Sequence, residues 1–200
     1  METDNVISKS LKKSISYSAY NDLLQEYATE GKTTGPTQNE DLIYYTKLNT
    51  QRSKRIMKTT NLNPELVSKV EQLNQKSEWL LITESWCGDA ANSVPVIAKL
   101  ADQSKNADLR IVMRDENTDL IDQFLTRGGR SIPKLIVLDS KKEALFTWGP
   151  RPVEAQKLYD SWKNSEEKKP YKEFQVDLQK WYNQDGGASL QRELLDLLPG

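Results

Sequence analysis

The 200-residue sequence predicts a single α/β domain built on a central mixed sheet flanked by helices. Two observations carry this expectation. Short apolar runs at residues 79–83, 109–113 and 135–138 alternate with helix-like patterns at 89–101 and 119–126, and strands alternating with helices form a sheet covered by those helices. After Pro133 the order changes to strand, turn at Asp139-Ser140-Lys141, and strand over 144–147. That hairpin is antiparallel, so the sheet is mixed.

The flanking regions read as helical. Tyr17, Tyr20, Leu24 and Tyr27 recur at helical spacing before the breakers of residues 31–36, which predicts an amphipathic helix over 15–30. A second helix follows over the polar, moderately periodic segment 39–59. Asn63-Pro64-Glu65 then supplies an N-cap, a first-turn proline and a first-turn acid for a third helix through Gln72. Beyond Gly149-Pro150, the chain from Val153 onward is charged and helical, broken near Pro170 and at Gly186-Gly187. Large aromatic residues at Tyr17, Tyr20, Tyr27, Trp162 and Trp181 read as core packing.

Composition narrows the function classes. Acidic and basic residues number 29 and 28, so no global field holds nucleic acid or an anionic membrane surface. No window approaches the roughly 20 apolar residues that a bilayer requires, and residues 1–13 lack a signal-peptide core. A soluble, cytoplasmic protein is expected, in keeping with one cysteine and no disulfide framework. Histidine is absent, which removes Cys–His and Ser–His catalysis and histidine-ligated metal sites. Glu84, Asp89 and Asp115 are too scattered to predict a metal site, and no cofactor is expected.

Cys87, the single cysteine, stands in Trp86-Cys87-Gly88-Asp89-Ala90 between a strand and a helix. Backbone N–H donors and the positive end of the helix dipole favour a thiolate there. Asp89 in the first turn is welcomed by the dipole but repels a neighbouring thiolate. Two readings stand side by side: a nucleophile of lowered pKa, or a small, semi-buried apolar residue. Arg127, Arg130 and Lys134 crowd the segment around Pro133, with Arg114 after the second strand. They read either as a solvated loop or as a basic rim in which Arg130 pairs with a substrate carboxylate. Trp86 and Trp148 read either as an apolar wall for a substrate or as core filling.

These residues together resemble the thioredoxin superfamily. Trp86-Cys87-Gly88 is similar to the start of its Trp-Cys-Gly-Pro-Cys site, Pro95 stands where its active-site helix kinks, Ile132-Pro133 resembles its cis-proline step, and Gly149 has the spacing of its late glycine. The resemblance covers residues 65–155 and implies a three-layer thioredoxin-like core there; the helical patterns on either side add extensions at 1–64 and 156–200, all one domain over 1–200. It further implies that Ile132 and Pro133 present a backbone edge to a bound peptide or glutathione. Three departures matter: Ala90 replaces the resolving cysteine, Asp89 replaces the helix-starting proline, and Leu81 stands where dithiol members bury a carboxylate. The expected activity is therefore monothiol oxidoreduction. Cys87 attacks a protein disulfide or glutathione mixed disulfide held by Trp86, Gly88, Asp89, Arg130, Ile132 and Pro133, and an external thiol reductant releases the product. The alternative is a non-catalytic thioredoxin-like module that binds a protein partner.

Overall fold

The computed structural model describes residues 2–198. Four strands form one sheet in the order β2-β1-β3-β4, with β1 (Ser77–Thr83) at its centre. β1 runs parallel to β2 (Ala107–Met113) and antiparallel to β3 (Lys134–Leu138), which pairs antiparallel with β4 (Ala144–Trp148). The sheet is mixed and helix-flanked, as the alternation of apolar runs predicts.

Helices on both faces of the sheet explain why β1 reads as a continuous apolar run rather than an alternation. Trp79, Leu80, Leu81 and Ile82 are all fully buried, and each such side chain contributes roughly 1.5–3 kcal/mol. β4, at the far edge, is largely exposed. Gly149 closes that strand at φ +114°, and a Cβ there would lie 2.2 Å from the Pro133 carbonyl oxygen. Only glycine fits so close an approach, and it brings the end of β4 against the turn before β3.

Before β1 come α1 (Glu2–Lys13), α2 (Tyr17–Glu30), α3 (Glu40–Thr59) and α4 (Pro64–Glu71). Local capping chemistry sets the starts of α2, α3 and α4. Ser16 accepts from the Ala19 N–H, Asn39 from Leu42, and Asn63 from Glu65 and Leu66. α1 was not expected from the sequence, where Ile7 and its neighbours are interleaved with polar residues; Ile7 and Ser10 are nevertheless buried. Just beyond α1, Ile15 exchanges two backbone hydrogen bonds with Ile111 and so covers the outer edge of β2. Arg110 donates to Ser14 Oγ and the Ser14 carbonyl at 2.9 Å each, pinning that segment.

After β1, α5 (Gly88–Ala101) carries Pro95 inside it, and α6 (Thr118–Ile121) spans one turn. The expected helix at 119–126 is thus cut short. The chain turns instead, and Thr126 pairs with Gly129 in an isolated bridge. The C-terminal region forms α7 (Val153–Asn164), α8 (Tyr171–Asp185) and α9 (Ala188–Leu197). α9 joins the main core through Leu190 and Leu194, with its C-cap Leu198, whereas Ala155, Phe174, Leu178 and Tyr182 make a separate small cluster between α7 and α8. Of the aromatic residues expected in the core, Tyr20 is buried and Tyr17, Tyr27, Trp162 and Trp181 are half-buried. Among the described residues no helix is long and apolar enough to cross a membrane.

Candidate functional site

β1 delivers the chain to Glu84, and residues 84–87 turn it into α5 with Cys87 as the N-cap. This turn is clamped from the N-terminal region. Thr34 and Ser85 exchange hydrogen bonds between backbone N–H and side-chain oxygen at 2.9 and 3.0 Å, Thr46 meets Ser85 at 2.8 Å, and Asn49 donates to the Ser85 carbonyl at 3.0 Å. Beneath them Glu84 is fully buried; one carboxyl oxygen accepts from the Asp115 N–H at 2.9 Å and the other from the Thr34 hydroxyl. Burial raises its pKa above the ordinary 4.5. The loop before α3, and α3 itself, are therefore part of the site's construction.

The Cys87 thiol faces the Ile132–Pro133 peptide, which is cis. Its S–H donates to the Ile132 carbonyl oxygen at 3.3 Å, and Cys87 is only 9% exposed. Burial first, then the Asp89 carboxylate, push the thiol pKa from 9.0 to about 12; the Ala90 and Asp89 backbone N–H groups and Arg151 act in the opposite direction. Desolvation of the thiolate outweighs the helix N-terminus here. Burial therefore outweighs the lowering that the strand-to-helix position suggests.

The first turns of α5 are held from the C-terminal region. Arg151 forms an ion pair with Asp89, the two side chains being 12% and 9% exposed. Tyr182 Oη donates to the other Asp89 oxygen at 2.7 Å. Burial alone would lower the pKa of Arg151, but Asp89 overcomes this and raises it. The Arg151 guanidinium also lies 4.6 Å from the Tyr159 ring centroid. Asn92 and Gln179 exchange two amide hydrogen bonds of 3.1 Å. α8 is thereby laid across the first turns of α5, and Asp89 serves as its anchor as well as a first-turn acid.

A family model described as Thioredoxin matches residues 35–163. The chain belongs to the thioredoxin superfamily. In that frame Ala90 and Leu81, 1% and 0% exposed, fill the resolving-cysteine and buried-carboxylate positions with apolar packing. The structure also resembles a Pseudomonas aeruginosa protein of unknown function at TM-score 0.63 and 14% identity, covering 95% of each chain. An HIV epitope-scaffold matches at TM-score 0.54 and 16% identity, over 92% of this chain and 97% of the other. The likeness extends past the thioredoxin core to the added helices, and it concerns the fold alone. No curated protein shows significant sequence similarity.

Of the residues singled out in the sequence, Cys87, Gly88, Asp89, Ile132 and Pro133 do meet at one end of the thioredoxin-fold sheet. Trp86 is half-buried beside them, its ring 4.9 Å from the Arg114 guanidinium. Trp148 is core, 5% exposed, with its indole N–H donating to Glu193 at 2.7 Å. The three cations around Pro133 have internal partners. Arg130 forms a bidentate pair with Asp122 at 2.7 Å, and Arg127 pairs with Asp160 at 2.8 Å. Lys134 is buried and donates to Thr126 at 2.6 Å. The two arginine pairs are solvent-exposed and weak, and Lys134 alone of the three is buried. Besides Arg114, a second cation reaches the site: Arg151, which the sequence reading passed over. Its one signal was its place between Pro150 and Pro152, directly after the family glycine.

Proposed function

We propose that this thioredoxin-superfamily protein is a binding module in which Cys87 is a packed, protonated thiol and carries no turnover. The observation that supports this reading is the state of the sulfur. Cys87 is 9% exposed, donates to Ile132 O, and stands two residues before Asp89, which Arg151 and Tyr182 hold. Attack on a disulfide requires a thiolate that can reach its target, and burial opposes both requirements. The backbone edge that an extended peptide would use is occupied in the same way, since the Ile132 carbonyl already accepts from the thiol and Ile132 is 6% exposed. Binding then falls to the surfaces formed by the added helices.

One observation favours the second reading, monothiol exchange: the Ala90 and Asp89 N–H groups and Arg151 all stabilise a thiolate at Cys87. In that reaction the Cys87 thiolate attacks a glutathione or protein mixed disulfide, one thiol departs, and an external thiol reduces the resulting Cys87 adduct. Incubation of the native protein with oxidised glutathione, followed by intact mass measurement, separates the two. The binding reading expects an adduct only after unfolding. A stoichiometric adduct on the native protein at neutral pH, absent in Cys87→Ser, would overturn it.

A further inference from the structure

Adjoining the thiol turn at Gly88 and Asp89, α3, α8 and the first turns of α5 line an open cavity of about 460 Å³. Cavities of this order are the size of small-molecule sites, which combine apolar walls with a few polar groups. The walls here are aromatic. Tyr44 and Tyr45 come from α3 and Tyr171 from α8, and Tyr44, Tyr171 and Val176 are 61%, 51% and 54% exposed. Such large side chains gathered around one concavity mark a surface suited to a flat apolar body.

The charge at this cavity is uneven. Arg52 is half-buried on α3, and its Nη1 stands 3.7 Å from where a Cβ on Gly88 would be. Among the described residues its guanidinium has one hydrogen-bond partner, Asn49 Oδ1 at 3.1 Å, and no carboxylate. A guanidinium carries five N–H donors, so most of this one is left for another group. Burial lowers its pKa, with Tyr44 and Tyr45 opposing and Arg55 adding to the shift. The other charges lining the cavity are already matched: Asp41 pairs with Lys172 at 3.3 Å, and Asp89 with Arg151. One unmatched, fork-shaped cation beside aromatic walls suits a single planar anion.

We propose that this cavity binds a small aromatic monocarboxylate, with its carboxylate on Arg52 and its ring against the surrounding tyrosines. The proposal deepens the binding reading by naming a ligand class, and it rests on that reading. A phosphate dianion fits less well, because the cavity offers one unmatched cation and is also lined by Asp41 and Asp89.

Isothermal titration of the full chain tests it, with indole-3-acetate and 3-phenylpropionate as probes, indole-3-acetamide as the neutral control and inorganic phosphate as the competing anion. Saturable binding of at least one acid is expected, with the amide and phosphate at least about tenfold weaker. Arg52→Gln is expected to weaken the acid by about tenfold or more, and Arg52→Lys, which keeps charge but loses the fork, by less. Tyr171→Ala, at an exposed position, supplies a second variant if Arg52→Gln fails to fold, and is expected to weaken binding several-fold. Acid and amide binding equally, phosphate matching the acid, unchanged affinity in Arg52→Gln or Tyr171→Ala, or no saturable heat with either acid would each overturn the proposal. None of these readouts involves Cys87. A reactive thiol would remove the reading beneath the proposal and leave the titration unchanged, whereas a failed titration leaves an inert thiol as it was.

Discussion

Alkylation of Cys87 against pH gives the sharpest check on the thiol's environment, because a sole cysteine makes the mass change report one site. The rise of its pKa from 9.0 to about 12 leaves about one thousandth of the thiolate that an unperturbed cysteine presents anywhere below pH 9, each pKa unit being tenfold. Iodoacetamide reaction followed by intact mass, from about pH 6 to 10, is expected to show a rate rising tenfold per pH unit with no plateau. The same protein unfolded in guanidinium supplies the fast reference. Asp89→Asn removes the carboxylate that raises the pKa and leaves the Arg151 cation without its partner, so reactivity rises at every pH. Tyr182→Phe is the companion variant. It breaks the hydrogen bond to Asp89 while keeping the charges, and so separates opening of α8 from electrostatics. A plateau with its midpoint below pH 9, or an Asp89→Asn variant that reacts more slowly than the parent, would refute the argument.

Two further outcomes follow from neighbouring residues. Glu84 has a folded pKa above its ordinary 4.5, so the folded state holds its proton more tightly, and stability falls as pH rises from 4.5 through the raised value; Glu84→Gln is expected to flatten that part of the urea-midpoint profile, and an unchanged slope would contradict the assignment. Gly149→Ala places a Cβ 2.2 Å from the Pro133 carbonyl oxygen at a φ of +114°, which is expected to cost on the order of 3 kcal/mol in denaturant unfolding, and a variant as stable as the parent would show that the turn can yield.

The sheet was legible in the sequence because its strands are short apolar runs whose surroundings do not change how they read. β1, buried on both faces, is the clearest case, and Asn63-Pro64-Glu65 marked α4 through local capping alone. α1 was not legible, since its few apolar residues gain their meaning only from a sheet edge formed about a hundred residues later. α6 was overextended because a helical pattern through Thr126 lost to the pairing of Thr126 with Gly129. At the site, the family landmarks located Cys87, Ile132 and Pro133, but not the partners of Asp89. Asp89 stands 62 positions from Arg151 and 93 from Tyr182, and no local spacing rule links residues so far apart. Arg130 pairs with Asp122, eight positions away on the surface.

The clasp at Ile15 has a consequence for the order in which the molecule assembles. Ser14 and Arg110 are 96 positions apart, and synthesis runs from the N-terminus, so α1 emerges long before the strand it fastens to exists. Until β2 has been made, the nascent chain carries a helix and a short extended segment with no edge to join. Contacts of such long range close late and slow a fold that depends on them. Between the making of β2 and the arrival of Ile15, the outer edge of β2 is open to other chains.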